Sequence, residues 1–123
     1  MTPSKRSPLG AALQAPSASQ QASSDFASGM HHGMAEMMRG MHIAMSGDPD
    51  RDFLTMMIPH HQGAIEMARL VLLHGRDPLT RQLAEEILAA QQGEIKSMQA
   101  RLLLLESGQL SEQFPALSGL RGG

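Results

Sequence analysis

From about Asp25 to Glu106 the apolar residues recur every three or four positions, the period of an amphipathic helix rather than of a strand. Two breaks interrupt the pattern, and each reads as the start of a new helix. In "SGDPD" (46–50), Asp48 can accept free backbone N–H groups, and Pro49 has its φ fixed near a helical value. "RDP" (76–78) repeats the signal with Asp77 and Pro78, just after Gly75 has ended the preceding helix. The pattern predicts helices over 25–45, 49–74 and 78–106, with Gly108 closing the last. Connections this short make neighbouring helices antiparallel. The expected fold is all-α, a small antiparallel helical bundle.

The flanks lack this period. Residues 1–24 are rich in Ser, Ala, Pro and Gln, bury too little to order themselves, and read as a flexible lead. Residues 108–123 read as a C-terminal tail, leaving 25–107 as the helical domain. A bundle of roughly 80 ordered residues has a marginal core. A homodimer or a bound metal would supply the missing stability.

Helical wheels place the unusual residues. On helix two, Leu54, Met57, His61, Ile65, Ala68 and Leu72 share one side; Phe53, Met56, His60, Ala64, Met67 and Val71 share the adjacent side. His60 and His61 thus lie on a broad apolar face, each one turn after a methionine. Pro59 removes the N–H that would bond the Thr55 carbonyl, which predicts a kinked second helix. The kink either shapes a pocket or is a tolerated bend. On helix three, Leu83, Ile87, Ala90, Met98, Leu102 and Leu105 define the expected core side, and Gln91 and Glu94 fall on it. A carboxylate there needs a partner: Arg101, a histidine of helix two, or a metal. On helix one, Met30, Met34, Met37, Met38, Met41 and Met45 form one stripe about 100° wide. His31 and His42 lie along its edge, and His32 points away.

Composition narrows the chemistry. There are 11 methionines, 6 histidines and no cysteine, so disulfides, thiolate metal sites and thiol nucleophiles are all excluded. Methionine can simply fill a core. Six between Met30 and Met45 argue otherwise, because leucine specifies packing better at similar helix propensity. Thioether sulfur is soft and suits Cu(I) and Ag(I), and imidazole suits copper in both oxidation states. Zinc spacings are missing. No Glu-x-x-His pair supports a di-iron centre, and no His-Glu-x-x-His supports a zinc hydrolase. No nucleophile–base–orienter set is visible, so catalysis is not expected. A net charge of −2, with three Phe and no Trp or Tyr, argues against nucleic acid and anionic membrane as partners. "LVLL" and "LLLL" are too short to span a bilayer. No continuous apolar segment follows Lys5 and Arg6, as a signal peptide would need. The lack of cysteine fits an oxidising compartment.

The stretch "DRDFLTMMIPHHQGAIEMARLVLLHGRDPLTRQLAEEILAAQQGEIKSMQ" resembles a widespread bacterial domain-of-unknown-function family. The likeness rests on Asp-x-x-Phe, Met-Ile-Pro-His-His, Ala-x-x-Met-Ala and Gln-x-x-Glu-Ile-x-x-Met over residues 50–98. It implies a ferritin-like helical architecture. Its CopM-type relatives are extracytoplasmic proteins that bind copper and silver and support copper resistance. By that resemblance Met57, His60, His61, Met67, Gln91, Glu94 and Met98 stand at signature positions, and the methionine-rich helix one is like the metal-binding additions of the copper relatives.

The expectation is therefore a non-catalytic copper protein for sequestration, trafficking or resistance, periplasmic or secreted. It would prefer Cu(I), with Cu(II) and Ag(I) as further candidates. Its expected ligands are Met56, Met57, His60, His61, Met67 and Met98, together with Met30, His31, Met34, Met37, Met38, Met41, His42 and Met45. Gln91 and Glu94 would support them. Copper efflux or acceptor proteins are the expected partners. The alternatives are an interaction module that offers a Met-rich surface to a partner helix, and a metalloenzyme with a redox activity.

Overall fold

Every helix begins on a side-chain cap. A computed structural model describes residues 14–108, and these form α1 (Ala18–Met41), α2 (Pro49–His74) and α3 (Pro78–Ser107). Asp48 accepts from the Asp50 N–H at 3.0 Å, and Asp77 accepts from the N–H and hydroxyl of Thr80 at 2.9 and 2.6 Å. Gly108, at φ 76°, ends α3 in the left-handed region that glycine enters without strain. The fold is an antiparallel all-α bundle, with no strand among the described residues.

Helix one is displaced from its expected span at both ends. Ser17 and Gln20 form a reciprocal capping box, the Ser17 hydroxyl accepting from the Gln20 N–H and the Gln20 amide oxygen from the Ser17 N–H. Residues 18–24, expected in the flexible lead, are therefore helical. The expectations for residues 1–13 and for the tail from 109 lie outside the described residues. At the other end α1 stops at Met41, so Met45 is not on the helix. The Asp52 carboxylate accepts from the Ser46 N–H and hydroxyl and ties this connection to the first turn of α2. The Ser46 hydroxyl holds the Asp52 carboxyl below its ordinary range, with smaller help from backbone N–H groups and Arg51.

Helix α2 lies in the middle. It packs against α1 on one side and α3 on the other, and α1 and α3 do not pack on each other. The arrangement is an open layer. The buried apolar residues are Leu54, Ile65 and Ala68 of α2 with Ala84 and Ile95 of α3; α1 has none. Its contact with α2 is made by glycines instead. A Cβ at Gly40 would come within 2.7 Å of the Pro59 ring, and one at Gly63 within 2.7 Å of the Met37 sulfur. Pro59 sits within α2 without ending it, and its ring is packing surface for α1.

The core side of α3 differs from the expected one. Leu83 is 57% and Ile87 46% exposed, and Ala90 is exposed as well. The buried positions are Ala84 and Ile95, while Gln91, Met98, Leu102 and Leu105 are half-buried on the expected side, so the difference is confined to the first half of α3. The reason is that α3 has one neighbour, so its wide apolar arc cannot all be covered.

Candidate metal centre

The seam between α2 and α3 gathers the polar residues that helical wheels place on apolar faces. His61 is the single buried polar residue among those described. Its Nδ1 lies 3.0 Å from the carbonyl oxygen of Met57, one turn earlier. A carbonyl can only accept, so Nδ1 carries the proton and donates. That fixes the tautomer and leaves Nε2 as the outward-facing atom. Nε2 meets the Glu94 carboxylate across the seam. The two atoms are in hydrogen-bond contact, so the pairing joins the helices through a shared proton. Glu94 is about half exposed, so the seam opens to solvent on that side.

The same register gathers softer donors. Met57 lies four residues before His61 and Met98 four after Glu94, so in the antiparallel pair they stand level, and both are half-buried. Gln91, one turn before Glu94, buries its side-chain oxygen without a hydrogen-bond partner. A buried acceptor left unpaired costs about 1–3 kcal/mol unless something binds it. No group of three or more His, Cys, Asp or Glu converges among the described residues. A zinc or di-iron set built from such ligands is thus not formed, whereas an imidazole, two thioethers and a supporting carboxylate fit a soft monovalent ion.

The other expected ligands are not brought together here. His60 is exposed, and its ring centre lies 6.1 Å from that of His61 at 58° between planes. The two histidines diverge because adjacent positions on a helix point about 100° apart. His61 turns towards α3, while His60 joins Met56 and Met67 on the open side. Sequence alone treats them as a pair, since either could face a neighbour whose position is not yet known.

On α1 and in the connection after it the methionines divide. Met37 packs into the α2 contact at Gly63, which is core filling. Met30 and Met41 are half-buried. Met34, Met38 and Met45 are 50%, 63% and 68% exposed, and His31 and His42 are exposed beside them. Core packing does not explain these. His32 lies across the helix, in a polar cleft with Glu36, Gln62 and Glu66. Arg81 was not singled out in the sequence, yet its guanidinium donates to the Leu72 and Gly75 carbonyls and closes the C-terminus of α2. Its signal was a cation within one turn of the "HGRDP" break.

Together these features define an all-helical protein whose central seam and one outer stripe are rich in thioether and imidazole. The chain matches the family described as "Domain of unknown function (DUF305)" over residues 6–102 and belongs to that family. It is also similar to "Uncharacterized protein L153" of Acanthamoeba polyphaga mimivirus, 42% identical over 53 residues. That match covers 43% of this chain and 35% of the viral protein, so the chain spans about a third of its relative's length. No helix among the described residues is long and apolar enough to cross a membrane.

Proposed function

We propose that this protein binds Cu(I), and Ag(I) by the same chemistry, for sequestration, trafficking or resistance, and that it does so without catalysis. The observation that carries the reading is the oriented His61 ring, its Nε2 aimed at Glu94 beside an unpartnered Gln91 oxygen. Met57 and Met98 flank that ring on the seam. His61 would offer its Nε2 lone pair to the ion once the hydrogen bond to Glu94 opens, and the ion would supply a positive charge there. The Met57 carbonyl holds the imidazole in the tautomer that offers Nε2, a supporting arrangement common at metal sites. Glu94 balances charge, and the thioethers favour a soft ion over Zn(II). The exposed His31, Met34 and Met38 of α1, with His42 and Met45 in the connection after it, would take up further, weaker ions. The resemblance read in residues 50–98 would imply a periplasmic or secreted setting, with efflux or acceptor proteins as partners.

Anaerobic Cu(I) titration with elemental analysis and thermal melting tests this. An ion at the seam links α2 to α3, so at 100-fold excess over Kd it stabilises the fold by about 2.7 kcal/mol. His61→Ala should remove most of the copper-induced rise in Tm, and His60→Ala should leave most of it. Glu94→Gln should weaken binding less than His61→Ala. Replacing Met34, Met38 and Met45 by Leu should lower the number of bound ions and keep the rise in Tm. Full copper stabilisation of His61→Ala would reject the seam site.

The exposed methionines also favour the second reading, an interaction surface. The same Leu substitutions separate the two, because leucine preserves an apolar contact and removes a metal ligand.

A further inference from the structure

The helix layer has two unlike faces. Around α2, the α1 contact (Pro59, Gly63, Glu66, Leu70) and the α3 contact (Leu54, His61, Ile65, Ala68) lie nearly opposite, which leaves two flanks open. One flank is mainly polar, with Glu36 and Arg39 of α1, Gln62 of α2, and Gln92 and Lys96 of α3, and carries Leu73 and Leu103 as its exposed apolar side chains. The other carries Met34 of α1, Phe53 and Met67 of α2, and Leu83 and Ile87 of α3, all between 41% and 59% exposed.

We infer that this second face is covered by a second copy of the chain, packed about a two-fold axis. Three observations favour that occupant. The first is stability. Five apolar residues are buried and no large side chain is completely so, whereas a helical core needs two layers to enclose it. A second copy supplies a layer of the same kind. The second is area. Helices of 24, 26 and 30 residues are about 36–45 Å long. Three of them about 8–10 Å apart present a face on the order of 1,000 Å², above the ~800 Å² per partner of a stable interface. The third is charge. Between the helix ends this face carries two charged side chains, Glu94 and Arg101, of opposite sign and about 10 Å apart along α3. In a two-fold pairing residue i meets j while j meets i, so each Glu94 can face the other copy's Arg101. The association needs no metal, and the face it covers includes Glu94 at the mouth of the seam.

Sedimentation equilibrium of the full chain with a chelator present tests it. The wild type should be dimeric at micromolar concentration. Ile87→Glu and Met67→Glu should each weaken the dimer at least about 100-fold and leave a helical monomer by circular dichroism. Arg101→Glu should weaken it less. Leu103→Glu, on the Lys96–Gln99 side and 67% exposed, should leave it unchanged. The wild-type mass decides the matter even if a variant fails to fold: a folded monomer up to millimolar concentration overturns the proposal. So does a monomer that dimerises only after residues 109–123 are removed, which would assign the face to that segment. A dimer insensitive to Ile87→Glu and Met67→Glu but lost in Leu103→Glu would place the interface on the polar side, and overturns it as well.

Discussion

The two sides of α2 are packed by opposite means. Towards α3 the contact is made by side-chain bulk, with Leu54, Ile65, Ala68, Ala84 and Ile95 burying their surface around the one buried histidine. Towards α1 it is made by the absence of bulk. Gly29, Gly33 and Gly40 of α1 and Gly63 of α2 let the helices approach, and α1 buries no residue of its own. The difference teaches where rigidity is needed. The α2–α3 seam orients the His61 ring and is a frame. Helix α1 is held close but not enclosed, and it keeps its outer sulfurs in solvent.

The largest expected effect comes from breaking the frame. Ile65→Ala should cost about 2–4 kcal/mol, the range for truncating a buried aliphatic side chain. Ile65 lies one turn after His61, so the loss should also weaken metal binding. Met37→Ala, on the α1 side, should cost on the order of 1 kcal/mol because the side chain is half-buried. Denaturant unfolding measures both. Equal losses would mean that α1 is as much a part of the core as α3.

Gly40→Ala tests the other packing mode. Alanine gains about 1 kcal/mol in helix propensity. The new Cβ would stand 2.7 Å from the Pro59 ring, which is rigid and cannot swing aside. Overpacking costs about 1–3 kcal/mol, so the net effect should be a loss, confined to α1. Hydrogen exchange should show α1 amides losing protection while those of α3 keep theirs. Uniform loss in all three helices would contradict a separable α1.

Acid should act at the helix starts. The Thr80 hydroxyl and N–H hold the Asp77 carboxyl below its ordinary value of 3.8, and Ser46 does the same for Asp52. A lowered folded pKa means that the ionised form is favoured by folding. That stabilisation is complete above the ordinary value and is lost as pH falls through the folded one. The wild-type Tm should therefore begin to fall below about pH 4. Asp77→Ala should fray the start of α3 by removing its cap, and Asp52→Ala should loosen the link to α1. Each should flatten the acid limb of a Tm-against-pH curve, and an unchanged limb in both variants would assign acid loss to other carboxyls.

Much of the fold was legible because its signals are local. Asp48–Pro49 and Asp77–Pro78 start helices through groups within three residues, and Gly75 and Gly108 end them. The start of α1 was equally local, since Ser17 and Gln20 spell a capping box, but the Ser- and Gln-rich composition around them masked it. What was not legible depends on neighbours. The apolar arcs of α2 and α3 are wider than one partner covers, and the sequence does not say that α1 and α3 stay apart. That is why Leu83 and Ile87 read as core, and why His60 read as a partner of His61. The His61–Glu94 pairing was foreseeable as one option, because a carboxylate on an apolar face needs a cation nearby.

The smallest change gives the sharpest contrast with Gly40. Gly93 lies inside α3, next to Glu94, with an ordinary helical backbone. A Cβ built there meets nothing within 4 Å. No close approach requires this glycine, so Gly93→Ala should gain about 0.5–1 kcal/mol, mainly by restricting the unfolded chain. For a domain of this size that is a rise in Tm of several degrees, on the order of 4–8 °C per kcal/mol. The Glu94 side chain keeps its place, so Cu(I) affinity should not change. The same substitution at two glycines should thus have opposite signs, a gain where the helix surface is open and a loss where another helix leans on it. A loss at Gly93 would mean that something in solution packs against the outer side of α3, and the polar face would then have to be counted as an interface.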